Sequence, residues 1–192
     1  MLIGMIWAEA HDHAIAKGLR LPWSIPEDHR FFMETVKGRP IFMGRRSWQS
    51  MRARPLPGSL NIVITSQQDF EAPGATVVHS FPEALELAMS TGTDLAWAGG
   101  GAGIYTETQP IADVVVRTLI DADVDADVFA PELDARWHRV TAYPEGTEWN
   151  VSTAGFRYRY EVRAREGVKL PSHLLADQPD AHLTIPAPWL AH

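Results

Sequence analysis

Asp28 is a carboxylate that the sequence places on the apolar face of a predicted helix. It precedes Phe31, Phe32 and Thr35 by three, four and seven residues, so the four side chains share one helical face. The plain interpretations are a solvated position beside the apolar stripe or a first-turn charge favoured by the helix dipole. Glu27 already supplies charge to that turn, and burying an unpaired carboxylate is unfavourable. We therefore expect Asp28 to have a partner or a function.

The helix that carries Asp28 has a start signal in the segment LPWSIPEDHRFF. Ser24 and Glu27 have the spacing of a capping box, and Pro26 lies in the first turn, where its missing N–H group is not needed. The sequence therefore predicts a helix from Ser24 to Lys37.

Two arginines directly follow a predicted buried strand. In FMGRRSW the strand ends at Gly44, and Arg45, Arg46 and Ser47 open a short helix. Backbone N–H groups at a helix start, next to two guanidinium groups, favour a bound anion. Taken alone, the pattern also fits arginines on a solvated surface.

Glycines follow a second predicted strand in the segment LAWAGGGAGIY, residues 95–105. A glycine turn between a strand and a helix lets the backbone approach a pyrophosphate closely. The segment is not a G-x-G-x-x-G fingerprint, because Ile104 stands where the third glycine would be. An ordinary tight turn is the plain interpretation, but two such turns at strand ends predict a phosphate-bearing ligand.

Acidic residues that follow the predicted strand VVVRTLI have the spacing of a calcium-binding EF-hand loop. They are Asp121, Asp123, Asp125, Asp127 and Glu132. The sixth loop position needs a glycine-type turn but holds Ala126, and VVVRTLI before the loop is a predicted strand rather than a helix. We therefore expect an acidic loop at a strand end and no metal site.

The composition of the chain limits its class. Its 192 residues carry a net charge of −7 and are 45% hydrophobic, which fits one globular domain and disfavours general nucleic-acid binding. The sequence has no cysteine and no H-E-x-x-H spacing, so disulfides, thiolate catalysis and a structural zinc site are not expected. The apolar start, MLIGMIWAEA, is too short to span a membrane and lacks a basic leader region. It is interpreted as a buried strand of a cytoplasmic protein.

Strands and helices alternate through most of the chain. The strand-like segments are LIGMIWA, PIFMG, NIVIT, ATVVH, DLAWAG and VVVRTLI, followed by a final antiparallel pair, RVTAY and GFRYRYEV. The pattern predicts an α/β domain with a mostly parallel, mixed sheet over residues 1–165. Residues 166–192 contain prolines and show no period, and are predicted to be an appended tail.

In combination, these segments resemble the dihydrofolate reductase family, particularly its actinobacterial members, from Met1 to about Val162. The pieces that carry the resemblance are IGMIWAEA, LPWSIPEDHRFF, IFMGRRSW, RPLPGSLNIVITS, AGGGAGIY and TLIDADVDAD. The resemblance implies an eight-stranded mixed sheet flanked by helices, with NADPH and folate in a cleft across it. It also implies a monomeric, antifolate-binding enzyme that reduces 7,8-dihydrofolate to tetrahydrofolate, by hydride transfer to pterin C6 with protonation at N5.

The resemblance also suggests which residues act in the reaction. Asp28 matches the family's buried carboxylate, which binds the amidine edge of the pterin. Trp23 matches the residue that holds a water beside it, and Thr118 matches the hydroxyl that bonds to it. The residues from Ala16 to Leu21 match the mobile active-site lid, and Asp127 matches the carboxylate that steadies this lid.

Two groups of residues match the family's ligand sites. The predicted substrate site consists of Ile6, Trp7, Ala8, Asp28, Phe32, Met51, Leu56, Ser59 and Thr118. The predicted NADPH site consists of Ala8, Ile15, Ala16, Gly44, Arg45, Arg46, Ser47, Thr65, Ser66, Gly100, Gly101, Ala102, Gly103, Ile104 and Tyr105. An arginine pair with nearby hydroxyls suits a 2′-phosphate and favours NADP over NAD.

Two positions depart from the family pattern. Ser59 stands where the family has an arginine that pairs with the α-carboxylate of folate, and Gly99 stands where a branched aliphatic residue meets the pterin. Both changes are expected to loosen the folate half of the cleft. The alternatives are a reductase of the same fold acting on another pterin or a pyrimidine, a non-catalytic NADPH-binding module, and a calcium-binding protein.

Overall fold

The computed structural model describes residues 1–171. In chain order, its strands and helices are β1 (Leu2–Glu9), β2 (Ala14–Ala16), α1 (Pro26–Val36), β3 (Ile41–Gly44), α2 (Arg45–Ser50), β4 (Asn61–Ile64), β5 (Thr76–Val78), α3 (Phe81–Ser90), β6 (Leu95–Ala98), α4 (Ala102–Thr108), β7 (Val114–Ile120), β8 (Val128–Phe129), β9 (Trp137–Tyr143), β10 (Asn150–Val151) and β11 (Arg157–Arg165). None of the helices in this part of the chain has the length and apolar character needed to cross a membrane.

One large sheet crosses the domain, with β1 near its centre. Its order is β10-β11-β7-β1-β6-β3-β4-β5, and β9 also pairs with β11. Every neighbouring pair from β7 to β5 is parallel, whereas β11 runs antiparallel to β7, β9 and β10. The predicted α/β fold, with a mostly parallel mixed sheet and a terminal antiparallel strand, is therefore confirmed.

The edge strand beside β11 is divided in two. Tyr143 at the end of β9 pairs with Tyr160, and Asn150 at the start of β10 pairs with Tyr158, so both strands follow the same side of β11. Residues 144–149 leave the sheet between them. The nine strands of this sheet thus occupy eight positions, in agreement with the predicted eight-stranded sheet.

Two apolar clusters cover the two faces of the sheet. Ile6 of β1 packs with Phe31 of α1 in one cluster, here called the α1-side core. Its neighbours Met5 and Trp7 pack with Tyr105 of α4 in the other, here called the α4-side core. Successive strand residues point to opposite faces, so a strand covered on both faces needs a nearly continuous apolar sequence such as LIGMIWA.

Helix α1 begins later than the sequence predicts. Its N-cap residue is Ile25, and no side chain of the described residues caps it. The predicted capping box of Ser24 and Glu27 is therefore wrong. Glu27 makes a long-range contact instead of a cap, since its carboxylate accepts a hydrogen bond from the backbone N–H of Thr153 (2.9 Å).

The packed part of the chain continues past the predicted domain boundary at Arg165. Val168 packs against the α1-side core, and Leu170 is buried in it. The remainder of the predicted tail, residues 172–192, lies outside the described residues.

We expect truncation after Pro171 to leave the domain folded, whereas truncation after Arg165 should lower its free energy of unfolding. The shorter variant loses Leu170, and burying one leucine side chain contributes about 1.5–3 kcal/mol. Urea unfolding of both variants beside the full chain measures the difference. Equal stability of all three chains would instead place the end of the domain at Arg165.

Candidate active site

Asp28 lies in the first turn of α1, and its carboxylate is bonded to the central strand β7. Thr118 Oγ1 donates a hydrogen bond to Asp28 Oδ1 over 2.5 Å. Thr118 is buried, and it is paired with Ala8 in the register of β1 and β7. The hydrogen bond therefore holds the carboxylate against the middle of the sheet.

Burial raises the pKa of the Asp28 carboxyl from 3.8 to about 6, although the hydrogen bond from Thr118 lowers it. A single neutral hydroxyl does not replace the hydration that the ionised carboxylate loses. No cationic side chain among residues 1–171 contributes to this shift. At neutral pH the site therefore holds a mostly ionised carboxylate that a ligand with N–H donors would stabilise.

The apolar residues predicted to contact the substrate lie in the α1-side core. They are Ile6 and Leu56, which are buried, and Ala8, Phe32 and Met51, which are half-buried. Phe32 lies one turn after Asp28 on the same helix, so the two side chains share a face. The half-buried members give this face a partly accessible apolar surface, as a flat heterocyclic ring requires.

Trp7 contributes its side chain to the opposite face of the sheet. Its indole packs against Tyr105, with ring centroids 5.0 Å apart, and its Nε1 donates to the Glu9 carboxylate over 3.0 Å. The Trp7 side chain therefore lies on the face opposite Ile6, because strand residues alternate between faces, and the predicted contact of Trp7 with the pterin is one that its backbone carbonyl would make. Only its backbone lies beside Ile6 and Ala8.

Trp23 is buried just before α1, and its indole N–H has no hydrogen-bond partner among the described residues. An unsatisfied buried donor is unfavourable, so this N–H is suited to bind a ligand atom or an ordered water. An N–H without a protein partner is compatible with the predicted role of Trp23 as the residue that holds a water.

The predicted lid is fastened to the acidic loop. Strand β2 ends at Ala16, where the lid begins, and pairs with β8. Asp127 N donates to Ala16 O over 3.0 Å, and Gly18 N donates to Asp127 Oδ1 over 2.8 Å. Ile15 is buried, whereas Leu21 at the far end is 58% exposed. The predicted contact between Asp127 and the lid backbone is thus present in the structure.

The other aspartates of this loop bind protein groups. Asp121 and Asp123 both face the ring of His11, at 3.1 and 2.8 Å, and Asp125 pairs with Lys17 at 3.0 Å. Within residues 1–171, no group of three or more acidic, histidine or cysteine side chains could hold a metal ion. The acidic loop therefore serves as a docking surface for residues that follow β1.

The two glycine turns meet at the carboxyl edge of the sheet. Gly44 N donates to Gly100 O over 2.7 Å, which joins the ends of β3 and β6. A Cβ atom at Gly100, where φ is +95°, would lie 2.8 Å from Tyr105 Oη, and one at Gly101 would lie 3.2 Å from Ser47 Oγ. Larger residues do not fit here, so a pyrophosphate could approach the backbone closely. The arrangement fits the predicted dinucleotide.

Polar side chains follow two strands that end at the same level beside this junction. Gly44 of β3 is paired with Ile64 of β4, so the residues after them start in one row. These residues are Arg45, Arg46 and Ser47 after β3, and Thr65 and Ser66 after β4. The row combines guanidinium donors with hydroxyl groups, as the predicted 2′-phosphate site requires.

Tyr105 lies beside the glycine turn after β6 and is hydrogen-bonded to β1. Its hydroxyl donates to Ile6 O over 2.7 Å, and burial raises the pKa of the hydroxyl, which therefore stays protonated. Its neighbours along α4 are Ala102 and Gly103 at the helix start and Ile104, which is buried. Tyr105 thus links the glycine turn to the strand that also carries Ala8.

Sequence reasoning missed a buried ionic network on the α4 side of the sheet. Arg117 Nη1 lies 2.6 Å from Glu9 Oε1, Arg117 Nε donates to Glu161 Oε1 over 2.8 Å, and Arg163 Nε donates to the same oxygen over 2.6 Å. Burial raises the pKa of the Glu161 carboxyl, but Arg163 and Arg117 hold it below its usual value. The signal available in the sequence was the presence of opposite charges within three largely apolar strands, β1, β7 and β11, but only the strand register brings these charges together.

The two departures from the family pattern have different structural outcomes. Ser59 Oγ donates to Val36 O over 3.0 Å at the end of α1, so this hydroxyl is already engaged. A Cβ atom at Gly99 would lie 2.7 Å from Cδ1 of the buried Ile41. Ile41 therefore occupies the space beside Gly99 into which a larger side chain would extend.

A half-buried carboxylate on one face of the central strands, with glycines and arginines after strands that end at one edge, is typical of an α/β oxidoreductase that uses a phosphorylated dinucleotide. A sequence model described as dihydrofolate reductase matches residues 2–162. The chain belongs to the dihydrofolate reductase family, and it is an NADPH-dependent oxidoreductase that reduces dihydrofolate to tetrahydrofolate.

Individual relatives agree with this assignment. The chain is 39% identical over 163 residues to the dihydrofolate reductase of Mycobacterium tuberculosis (strain ATCC 25618 / H37Rv), covering 82% of this chain and 94% of that protein. It is 40% identical over 159 residues to that of Neisseria gonorrhoeae, with the same coverage. The solved structure of dihydrofolate reductase from Enterococcus faecalis, complexed with NADP(H) and RAB-propyl, is similar with a TM-score of 0.77 at 32% identity, over 86% of this chain and 96% of that one. The resemblance predicted from the sequence is confirmed.

We expect Asp28→Asn to raise the free energy of unfolding of the ligand-free protein at pH 8. Because the folded-state pKa of Asp28 is raised from 3.8 to about 6, ionising this carboxyl destabilises the fold above pH 6 and has no effect below pH 3.8. A shift of this size corresponds to about 1–3 kcal/mol. Urea unfolding should show the advantage of the variant growing between pH 4 and pH 6 and then levelling off.

Asp69→Asn, at an exposed position, is the matched control and should show no such pH dependence. An advantage of Asp28→Asn that stays constant from pH 4 to pH 8 would mean that the Asp28 carboxyl does not titrate as described.

Proposed function

We propose that Asp28 binds the pterin ring and increases its affinity for a proton. The observation that carries this proposal is a half-buried carboxylate with a raised pKa whose described partner is the hydroxyl of Thr118. An amidine edge presents two coplanar N–H donors, which form a paired, charge-assisted interaction with a carboxylate. Such a ligand supplies the positive charge that no side chain among residues 1–171 brings to Asp28.

The protein side of the reaction consists of binding, orientation and proton supply. The ionised Asp28 stabilises a protonated pterin electrostatically, and the low dielectric of the apolar face strengthens this interaction. The Trp23 N–H orients a water toward the ring, and the residues from Ala16 to Leu21 exclude bulk solvent while Asp127 holds them. When bound, NADPH supplies the hydride.

We further propose how the chain holds its cofactor. The backbone at Gly44, Gly100 and Gly101 receives the pyrophosphate, because these residues bring no side chain of their own to the turn. Arg45 and Arg46, with the hydroxyls at the end of β4, bind the 2′-phosphate. Tyr105, Ala8 and Ile15 surround the nicotinamide.

We also propose that the enzyme is a cytoplasmic monomer and that antifolates compete with dihydrofolate. A planar inhibitor with an amidine edge would make the same paired contact with Asp28 as the substrate does. Sedimentation velocity tests the monomer, and competition with dihydrofolate at fixed NADPH tests the shared site.

The direct test of the activity is a fall in absorbance at 340 nm when NADPH and dihydrofolate are mixed with the protein. We expect Asp28→Asn to retain NADPH binding but to lose most of this activity at pH 7, since general acid–base assistance contributes roughly 10²–10⁴-fold. Residual activity should rise as the pH falls, because substrate that is already protonated needs less assistance. Wild-type turnover by the Asn variant at pH 7 would show that Asp28 has no part in the reaction.

Replacing Arg45 and Arg46 together by glutamine should weaken NADPH binding far more than NADH binding. Each charge-assisted hydrogen bond to the 2′-phosphate contributes roughly 1.5–3 kcal/mol, and NADH lacks this phosphate. Dissociation constants for both cofactors, measured by fluorescence titration, test the expectation. Equal weakening of the two would place the arginines away from the phosphate.

Ser59→Arg should lower the KM for dihydrofolate and leave kcat nearly unchanged. An arginine forms a bidentate pair with the α-carboxylate of the substrate, which serine does not, and the difference is roughly 10–100-fold in affinity. Ser59→Met is the matched control, since it also removes the bond to Val36 but adds no charge. No change in KM with Ser59→Arg would mean that another cation already binds this carboxylate, or that the natural substrate has none.

A further inference from the structure

Glu9 brings a deeply buried carboxylate to the α4 side of the sheet. It lies two residues after Trp7 on β1, so the two side chains share a face. Glu9 Oε2 accepts the Trp7 Nε1–H over 3.0 Å, and Glu9 Oε1 lies 2.6 Å from Arg117 Nη1. Arg117 is also the β7 residue that is paired with Trp7 in the register of the two strands. The carboxylate therefore joins the indole to the guanidinium beside it.

The hydrogen bond from Trp7 sets this indole apart from other buried indoles of the fold. Four buried tryptophans have an indole N–H without a hydrogen-bond partner among residues 1–171, namely Trp23, Trp48, Trp97 and Trp137. The domain thus packs buried indoles without bonding their N–H groups. Burying a carboxylate with an arginine is also no better for stability than apolar packing of similar volume. The bond to Glu9 is therefore a constraint on the orientation of Trp7 that packing alone does not require.

Trp7 in turn packs against Tyr105. The centroids of the two rings are 5.0 Å apart, the ring planes are tilted by 54°, and both side chains are buried. The Tyr105 hydroxyl donates to Ile6 O over 2.7 Å. Tyr105 is thus held at its oxygen by the backbone of β1 and at its ring by the indole. Rotation of the indole would change the ring contact, and the bond to Glu9 opposes this rotation.

We propose that Glu9 is a positioning residue for hydride transfer, because it holds the Trp7 indole against Tyr105 and so fixes one wall of the nicotinamide site. The proposal rests on the place of Tyr105 in the cofactor site proposed above. Reacting atoms must be held close together and aligned, and a small misplacement of the groups that position them lowers the rate steeply. Glu9 acts through Trp7 and Tyr105 and is not itself a catalytic residue.

Glu9 has a further neighbour in the segment that leads to the lid. His13 Nδ1 lies 3.3 Å from the oxygen that accepts the Trp7 N–H, and the His13 side chain is 44% exposed. This contact is longer than the bond from Trp7 and does not lead to Tyr105. An effect of Glu9 on the reaction through Trp7 is separated from an effect through His13 by a double-mutant cycle.

The test is a double-mutant cycle of Glu9→Gln and Trp7→Phe on the full chain. The measured quantity is the rate of hydride transfer in a single turnover, after enzyme saturated with NADPH is mixed with dihydrofolate. Glutamine keeps the shape of Glu9, but one of its two polar atoms is a donor, so it does not accept from both Trp7 and Arg117. Phenylalanine keeps an aromatic ring beside Tyr105 and removes the N–H. NADPH deuterated at the transferred position verifies, by its isotope effect, that the measured step is hydride transfer.

We expect each single variant to slow hydride transfer about tenfold, while the Kd for NADPH changes little. The double variant should be no slower than Trp7→Phe alone, because the carboxylate acts on Tyr105 only through the indole N–H. This coupling is the signature of positioning, since a general loss of stability would make the two effects additive. Should Glu9→Gln fail to fold, the rate of Trp7→Phe still decides, because that variant keeps the buried ion pair.

Glu161→Gln is the matched control. It removes a buried carboxylate from the same network, but the described partners of Glu161 are Arg117 and Arg163 rather than Trp7. It should lower the free energy of unfolding, as measured in urea, and leave the single-turnover rate near the wild-type value.

Three results would overturn the role of Glu9: a wild-type rate in Glu9→Gln or in Trp7→Phe, additive slowing in the double variant, or equal slowing by Glu161→Gln. Tyr105→Leu tests the cofactor site separately. If Tyr105→Leu slows hydride transfer and Glu9→Gln does not, this inference fails alone. If Tyr105→Leu transfers hydride at the wild-type rate, the proposed place of Tyr105 beside the nicotinamide fails with it.

Discussion

The hydrogen bond from Thr118 to Asp28 is the contact around which the substrate half of the molecule is arranged. It ties the first turn of α1 to the central strand β7 and sets a carboxylate against an apolar face. Burial raises the pKa of this carboxyl to about 6, so the ligand-free fold is less stable with Asp28 ionised than with it protonated. Stability lost at such a position is characteristic of a binding or catalytic site.

Two other carboxylates of the described chain are more deeply buried than that of Asp28, and both have charged partners. Glu9 and Glu161 are each 3% exposed, and both are bonded to Arg117, with Arg163 adding a second partner to Glu161. These pairs lie on the opposite side of the sheet from Asp28 and join β1, β7 and β11. Among the described residues, these two deeply buried carboxylates are therefore paired with arginines, whereas the carboxylate of Asp28 is bonded to a hydroxyl.

The cofactor half depends on parallel strands that end at the same level. The turns after β3, β4 and β6 come together at one edge, where glycine backbone, arginines and hydroxyl groups collect. This is the position at which open α/β sheets bind ligands, since chains leaving neighbouring strands diverge there.

The sequence by itself determined what depends on local spacing: the helix that carries Asp28, the alternation of strands and helices, the glycine turns and the rejection of an EF-hand. It also determined the family, because the motifs occur in a specific order. Tertiary structure decided what depends on pairing between distant segments. The backbone N–H of Thr153 donates a hydrogen bond to the Glu27 carboxylate, and the capping box that the local pattern predicted does not form. Ile41 fills the space beside Gly99. Strand register likewise determines the face on which the Trp7 side chain lies, because one residue along a strand reverses the side chain's direction while the sequence pattern stays the same.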